Sequence, residues 1–125
     1  MKLLLDSHVL LWWLFDDHRL GPVAREAVAD EVNEVAVSAA STWEISIKRA
    51  LGKLVAPDDL VAQVAASGFT GWPIALEDGT EAGRLPRHHD DPFDRVLIAQ
   101  ARARGSTTIT SDRAFATYDV ALLPA

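Results

Sequence analysis

The chain has 125 residues, of which 49% are hydrophobic and 24% charged, with no cysteine and a formal net charge of −6. This composition indicates a globular protein with one core, and it excludes disulfide bonds, thiolate metal sites, a cysteine nucleophile and a disordered chain. The acidic excess disfavours simple binding to the phosphate backbone of nucleic acid but is compatible with a site that holds cations.

The longest apolar run, residues 9–15, is far shorter than the roughly 20 residues needed to cross a membrane. The first residues also lack the cleavage site of a signal peptide. No repeat, linker or abrupt change of composition divides the sequence. We therefore expect a single domain over residues 1–125, with no membrane partner and a cytoplasmic location.

Apolar periodicity and turn residues predict strands and helices that alternate along the chain. In order these are a strand at residues 2–5, helices at 8–15 and 22–30, a strand at 35–38, helices at 41–51 and 57–68, a strand at 72–74, helices at 76–85 and 91–105, a strand at 107–110, a helical turn around Phe115 and a strand at 120–122. Pro73 indicates that the third strand lies at a sheet edge. The pattern predicts an α/β sandwich with a mostly parallel sheet, whose ligands bind at the carboxyl ends of the strands.

Acidic residues stand at the element ends that this fold brings to one edge. Asp6 and Asp112 follow the first and fourth predicted strands, and Asp91 and Asp94 lie at the start of the helix at 91–105. Each has an ordinary structural explanation, because Asp is a preferred N-cap and turn residue and is favourable in the first helical turn.

Glu44 is the most ambiguous of the acidic residues. In Ser41-Thr42-Trp43-Glu44 it completes the pattern of a capping box, and it precedes Lys48 by the four residues of a helix-stabilising ion pair. Trp43 and Ile47 are expected to face the core, which places Glu44 at the border of the buried face.

Four carboxylates at one sheet edge would repel one another unless a divalent cation compensates their charge. Oxygen ligands without cysteine favour Mg²⁺ or Mn²⁺. The coincidence of Asp6, Glu44, Asp94 and Asp112 therefore favours a metal site, although each residue taken singly is explained by capping.

Five blocks in order resemble PIN-domain proteins of the VapC type, and the resemblance extends from Leu3 to about Tyr118. The blocks are DSHVLLWWL from Asp6, STWEISIK from Ser41 with GKL from Gly52, HHDDPFDR from His88, LIAQA from Leu97 and TSDRAF from Thr110. The family comprises toxin ribonucleases of bacterial toxin–antitoxin pairs. The resemblance implies a PIN-like three-layer α/β/α sandwich that acts as a metal-dependent endoribonuclease.

The resemblance also implies roles for particular residues. The catalytic metal ligands fall on Asp6, Glu44, Asp94 and Asp112, with Mg²⁺ as the cofactor and Mn²⁺ as a substitute. The auxiliary residues are Asp91, Thr110, Ser7 and Arg95. Ser7 stands where the family usually has Thr, and Asp90 where close relatives usually have Arg. Arg95 is expected to contact a phosphate or to pair with Asp91.

The implied partners are an RNA substrate and a VapB-like antitoxin, in a homodimer and in a toxin–antitoxin hetero-oligomer. We expect the antitoxin to cover Trp12, Trp13 and Leu14 and to direct a basic side chain at the carboxylates. His88 and His89 precede a helix, where histidine is common, and a metal or substrate role for them stays open.

Two other functions are compatible with parts of the pattern. A PIN nuclease of RNA or DNA processing would share the fold and the acids, and a neighbouring antitoxin gene would distinguish the toxin from it. A receiver domain is also acidic and parallel α/β, but it needs adjacent acids after the first strand and a late lysine. Asp6 stands alone and Asp112 occupies the late position, so the receiver alternative is disfavoured.

Overall fold

A computed structural model describes residues 1–125, and its centre is a five-stranded sheet. The strands are β1 (Lys2–Leu5), β2 (Glu34–Ser38), β3 (Thr70–Trp72), β4 (Thr107–Thr110) and β5 (Leu122–Pro124), in the order β3-β2-β1-β4-β5. All four strand pairings are parallel. Every strand therefore ends at the same edge, and β3, which directly precedes Pro73, is an edge strand as predicted.

Six α-helices connect or follow the strands. They are α1 (Ser7–Leu14), α2 (Pro22–Ala29), α3 (Ala39–Ala50), α4 (Leu60–Ala66), α5 (Leu76–Arg84) and α6 (Pro92–Arg104), with a 3₁₀ turn at Arg113–Thr117. The predicted elements are all present. The largest shift is at α4, which begins three residues later and ends two residues earlier than predicted, and at the outer strands β3 begins two residues earlier and β5 two residues later. No helix has both the length and the apolar character required to span a bilayer.

The sheet separates two hydrophobic cores. Leu3 and Leu5 of β1 pack on one face with residues of α1, α2 and α4, whereas Leu4 packs on the other face with residues of α6. Alternate side chains of a strand point to opposite faces, so a strand buried on both sides has to be apolar throughout. The predicted three-layer α/β/α sandwich is thus confirmed.

The start of α3 differs from the prediction. The N-cap is Ser38, whose hydroxyl accepts the N–H of Ala40 at 3.0 Å, so β2 passes directly into the helix. Ser41 lies inside the helix, and its buried hydroxyl has no hydrogen-bond partner. The predicted capping box of Ser41 and Glu44 is therefore wrong, because the helix begins at Ala39, two residues before Ser41.

The buried face of α3 also differs from the prediction. Trp43 is 59% exposed and Ile47 38% exposed, whereas Glu44 and Ile45 are buried. The helix packs against both α1 and α6, and its buried residues are Ala40, Ser41, Glu44 and Ile45. Glu44 therefore lies on the buried face of the helix and not at its border.

Candidate metal centre

The parallel sheet brings the predicted acids to one edge. Asp6 directly follows β1, and Asp112 lies two residues beyond β4. Glu44 lies on α3, which directly follows β2, and Asp94 lies in the first turn of α6. The elements that carry them are neighbours, since β1 pairs with both β2 and β4 and α3 packs on α6.

Asp6 is buried and has two hydrogen-bonding functions. One carboxylate oxygen accepts the N–H of Val9 at 2.8 Å as the N-cap of α1, and the other accepts the hydroxyl of Thr110. The Thr110 hydroxyl oxygen in turn accepts the N–H of Asp112 at 3.0 Å. Burial raises the pKa of Asp6, and the charge of Asp112 adds to this effect. Thr110 therefore links the two acids that follow β1 and β4.

Glu44 is only 4% exposed, and each of its carboxylate oxygens has a partner. Oε1 accepts the hydroxyl of Ser7 at 2.6 Å, and Oε2 accepts Nζ of Lys48 at 2.7 Å. The predicted ion pair between Glu44 and Lys48 is thus present. The hydrogen bond to Glu44 raises the pKa of Lys48, and the charges of Asp91 and Asp94 act in the same direction. Lys48 is therefore a cation of the acidic cluster.

Asp94 is a second acid whose ionisation the site disfavours. Desolvation raises the pKa of Asp94 to about 6, and the charges of Asp91 and Glu44 raise it further, against the lowering effect of the hydrogen bond from His89. Asp94 is therefore protonated more readily than an ordinary aspartate, chiefly because burial disfavours its charged form and also because the neighbouring acids add negative charge. Binding of a cation would stabilise the ionised form of Asp94.

His89 is a member of the cluster that sequence reasoning left undecided. Its Nε2 lies 2.7 Å from Oδ2 of Asp94, and potential ligand atoms of His89, Asp94 and Asp112 all lie within 4.8 Å of one another. His88 packs against Tyr118 instead, with ring centroids 5.2 Å apart and the rings tilted by 54°. The two histidines are adjacent in the sequence, and only the course of the loop before α6 distinguishes them.

Asp91 and Arg95 have structural contacts of their own. Asp91 is the N-cap of α6 and accepts the N–H groups of Phe93 and Asp94. The Arg95 guanidinium donates to the hydroxyl of Tyr118 and to backbone carbonyls of the segment before α6, including those of Leu85 and His89. Arg95 thus makes no ion pair with Asp91, and its donors hold the loop that carries His89.

The donor set fits a divalent cation. Asp6, Glu44, Asp94 and Asp112 supply carboxylate oxygens, and the nearby charged partners are Lys48 and His89. Hard cations such as Mg²⁺ and Mn²⁺ prefer carboxylate oxygen. The charge of Asp112 raises the pKa of Asp6, and the charge of Glu44 raises the pKa of Asp94. The side chains whose potential ligand atoms lie within 4.8 Å of one another are those of His89, Asp94 and Asp112, and Asp6 and Glu44 lie outside that group.

Comparison with known proteins shows the family of this chain. The family model of the PIN domain matches residues 3–121. Ribonuclease VapC22 of Mycobacterium tuberculosis is 33% identical over 118 residues, which cover 88% of this chain and 86% of that protein. The chain therefore belongs to the PIN-domain family, as its sequence blocks indicated.

Solved structures show the same fold at low sequence identity. VapBC2 from Rickettsia felis, bound to a DNA fragment from its promoter, matches with a TM-score of 0.72 and 14% identity, covering 100% of this chain and 99% of that one. DNA-bound VapBC from Salmonella typhimurium matches with a TM-score of 0.71 and 13% identity, covering 99% and 98%. VapBC-5 from M. tuberculosis matches with a TM-score of 0.60 and 18% identity, covering 98% and 96%.

The raised pKa of Asp94 generates a prediction for the metal-free protein. A carboxyl group whose pKa is higher in the folded than in the unfolded state contributes stability below pH 4, and this contribution is lost as the pH rises through about 6. Asp94→Asn removes the charge. We therefore expect the melting temperature of the variant, measured relative to that of wild type, to increase as the pH rises from 5 to 8. The expected gain is roughly 3 to 6 °C, which corresponds to about 1 kcal/mol in a domain of this size.

Thermal unfolding in EDTA at pH 5, 6, 7 and 8 measures this difference. The hydrogen bond to Asp94 raises the pKa of His89 and so stabilises wild type at low pH. The variant lacks this bond, which increases the expected rise with pH of its melting temperature relative to wild type. A Tm difference that is constant over this range would show that Asp94 is not destabilised by its neighbours.

Proposed function

We propose that this protein is a divalent-metal-dependent endoribonuclease and the toxin of a VapC-type toxin–antitoxin pair, with residues 1–125 acting as one PIN domain. The observation that carries the proposal is the convergence of Asp6, Glu44, Asp94 and Asp112 at the carboxyl edge of the sheet. The identity to Ribonuclease VapC22 supports RNA as the substrate. Because cellular RNA is the substrate, the proposal places the protein in the cytoplasm.

Asp6, Asp94 and Asp112 hold the principal ion in this proposal, with Mg²⁺ as the cofactor and Mn²⁺ as a substitute. Glu44 contributes to a second ion or orients the attacking water and accepts its proton. A bound divalent ion supplies Lewis-acid activation of the phosphodiester and lowers the pKa of the attacking water. The water oxygen forms a bond to phosphorus while the bond to the 3′ oxygen breaks, which leaves a 5′-phosphate and a 3′-hydroxyl.

Hydroxyl and cationic side chains position these acids. Ser7 donates to Glu44, and Thr110 donates to Asp6 while accepting the N–H of Asp112. Such contacts fix the direction of carboxylate lone pairs before an ion arrives, which strengthens metal sites. Lys48 beside Glu44 provides positive charge where the substrate phosphate would approach.

The proposed partners are a VapB-like antitoxin and a second copy of the chain. The solved structures of similar fold include complexes described as VapBC and as a toxin–antitoxin complex. An apolar strip suited to an amphipathic segment is available on α1, where Trp12, Trp13 and Leu14 are half-buried against the first core. A basic side chain of the antitoxin would bind the acids and compete with the metal.

The metal requirement is the first functional prediction. RNA cleavage is expected to stop in excess EDTA and to return with Mg²⁺ or Mn²⁺, because the carboxylates cannot bind the phosphodiester without a cation. Asp6→Asn should lower cleavage by orders of magnitude while the protein remains folded, since Asn is also a good N-cap for α1. End mapping should show 5′-phosphate products. Full activity in EDTA would refute the proposal.

Glu44→Gln is the second functional prediction. Glutamine retains the shape but neither the charge nor the basicity, so cleavage should fall by about 10² to 10⁴ if Glu44 assists as a base. The fold should persist, because the partner Lys48 is 36% exposed and can be solvated. Cleavage at saturating Mg²⁺ and the melting temperature are measured together.

Two serines of the same region provide matched controls for Glu44→Gln. Ser38→Ala removes the true N-cap of α3 and should cost about 1 kcal/mol of stability with activity retained at permissive temperature. Ser41→Ala removes a hydroxyl that has no partner and should change neither property. Near-wild-type cleavage by Glu44→Gln would remove Glu44 from the reaction and leave a three-carboxylate centre.

The antitoxin generates the third functional prediction. The product of a small gene adjoining the toxin gene should bind the purified protein and suppress RNA cleavage. Replacing the basic residue of that product that binds the acids by alanine should restore cleavage without dissociating the complex, because the apolar contacts remain. A complex that cleaves RNA as fast as the free protein would contradict a blocked acidic edge.

A further inference from the structure

The loop before α6 presents a nitrogen ligand to a site that is otherwise built from carboxylates. His89 Nε2 lies 2.7 Å from Oδ2 of Asp94, and ligand atoms of His89, Asp94 and Asp112 lie within 4.8 Å of one another. Ligands that share an ion at about 2.0 to 2.2 Å lie within roughly 4.4 Å of each other, so the group needs only a small adjustment of side chains to surround an ion.

The backbone of His89 is held in place. Its N–H donates to the hydroxyl of Tyr118 at 3.0 Å, and its carbonyl accepts Nη1 of Arg95 at 3.1 Å. Arg95 also binds the carbonyls of Ala82 and Leu85, so a single guanidinium ties the loop to the end of α5. Fixed backbone contacts of this kind preorganise a ligand and lower the entropic cost of binding an ion.

We propose that His89 is a direct ligand of the catalytic cation, together with Asp94 and Asp112, and that its nitrogen raises the affinity of the centre for Mn²⁺ relative to that for Mg²⁺. This inference rests on the proposed metal dependence and adds a ligand to it. Imidazole nitrogen binds transition metals well, whereas Mg²⁺ prefers an all-oxygen environment and retains its waters. A nitrogen ligand therefore gains affinity for Mn²⁺ that it does not gain for Mg²⁺.

His89→Gln separates ligation from positioning. The glutamine amide can still donate to Asp94, so a residue that merely orients Asp94 would be replaced without changing the choice of metal. Glutamine offers a metal only its amide oxygen, a hard ligand. Direct binding of Mn²⁺ and Mg²⁺ at pH 8, by calorimetry on the complete chain without RNA, is the first measurement.

We expect Mn²⁺ affinity to fall by about ten-fold or more in His89→Gln, which is the scale of perturbation for metal-site substitutions, and Mg²⁺ affinity to change by less than about three-fold. His89→Ala should weaken Mn²⁺ binding at least as much. His88→Gln is the matched control, because His88 is an adjacent histidine that packs against Tyr118 outside the cluster, and it should retain the wild-type preference.

Pulsed electron paramagnetic resonance of bound Mn²⁺ is the second measurement. Wild type and His88→Gln should show the ¹⁴N coupling of a coordinated imidazole, and His89→Gln should lack it. Absence of this coupling in wild type, or its persistence in His89→Gln, would overturn the proposal, as would an unchanged metal preference in His89→Gln.

Asp94→Asn distinguishes failure of the histidine ligand from failure of the metal dependence. If Asp94→Asn abolishes binding of both ions while His89→Gln has no effect, the metal site stands and only the histidine ligand fails. If wild type binds neither ion, the metal dependence itself fails.

Discussion

Repulsion among carboxylates at one edge of the sheet is the constraint around which this molecule is organised. A parallel sheet directs every strand end to the same side, and the chain places acids after β1 and β4 and on the helices beside them. The raised pKa values of Asp6 and Asp94 show that burial and neighbouring charge act against ionisation. Lys48 and His89 offset part of the charge, and a divalent cation is the counter-ion whose chemistry matches the remaining oxygens.

The fold keeps these acids in place by giving several of them a backbone function. Asp6, Asp91 and Asp112 are the N-caps of α1, α6 and the 3₁₀ turn, respectively. An N-cap is fixed by hydrogen bonds from the following N–H groups, which orient the carboxylate without any metal. In the proposed metal centre, capping and cation binding would both act on Asp6 and Asp112, so the structural explanation of these acids does not compete with the functional one. Glu44 differs, since side chains alone position it.

The helix α3 shows where local patterns mislead. Aromatic and branched residues at 43 and 47 predicted the buried face, but the helix is wedged between α1 and α6, and Ile45 and Glu44 lie inside instead. The site thereby acquires a buried acid with two partners, and Trp43 is left on the surface against Phe93, their rings 5.1 Å apart and edge to face. Apolar spacing on one helix cannot show which face its neighbours cover, because that depends on the packing of three helices.

The sequence by itself determined the class of fold and which acids the sheet brings to one edge. Apolar runs that stop at acids, separated by amphipathic helices with Pro and Gly at their ends, specify strands and helices through local backbone and burial preferences. Tertiary structure alone decided what depends on contacts across the chain. It identified Ser38 as the N-cap of α3. It also paired Ser7 with Glu44 across 37 residues and Thr110 with Asp6 across 104. Arg95 donates to carbonyls of the loop before α6. Tertiary structure also brought His89, and not its neighbour His88, to the carboxylates, because only the folded path of that loop determines which imidazole faces the sheet edge.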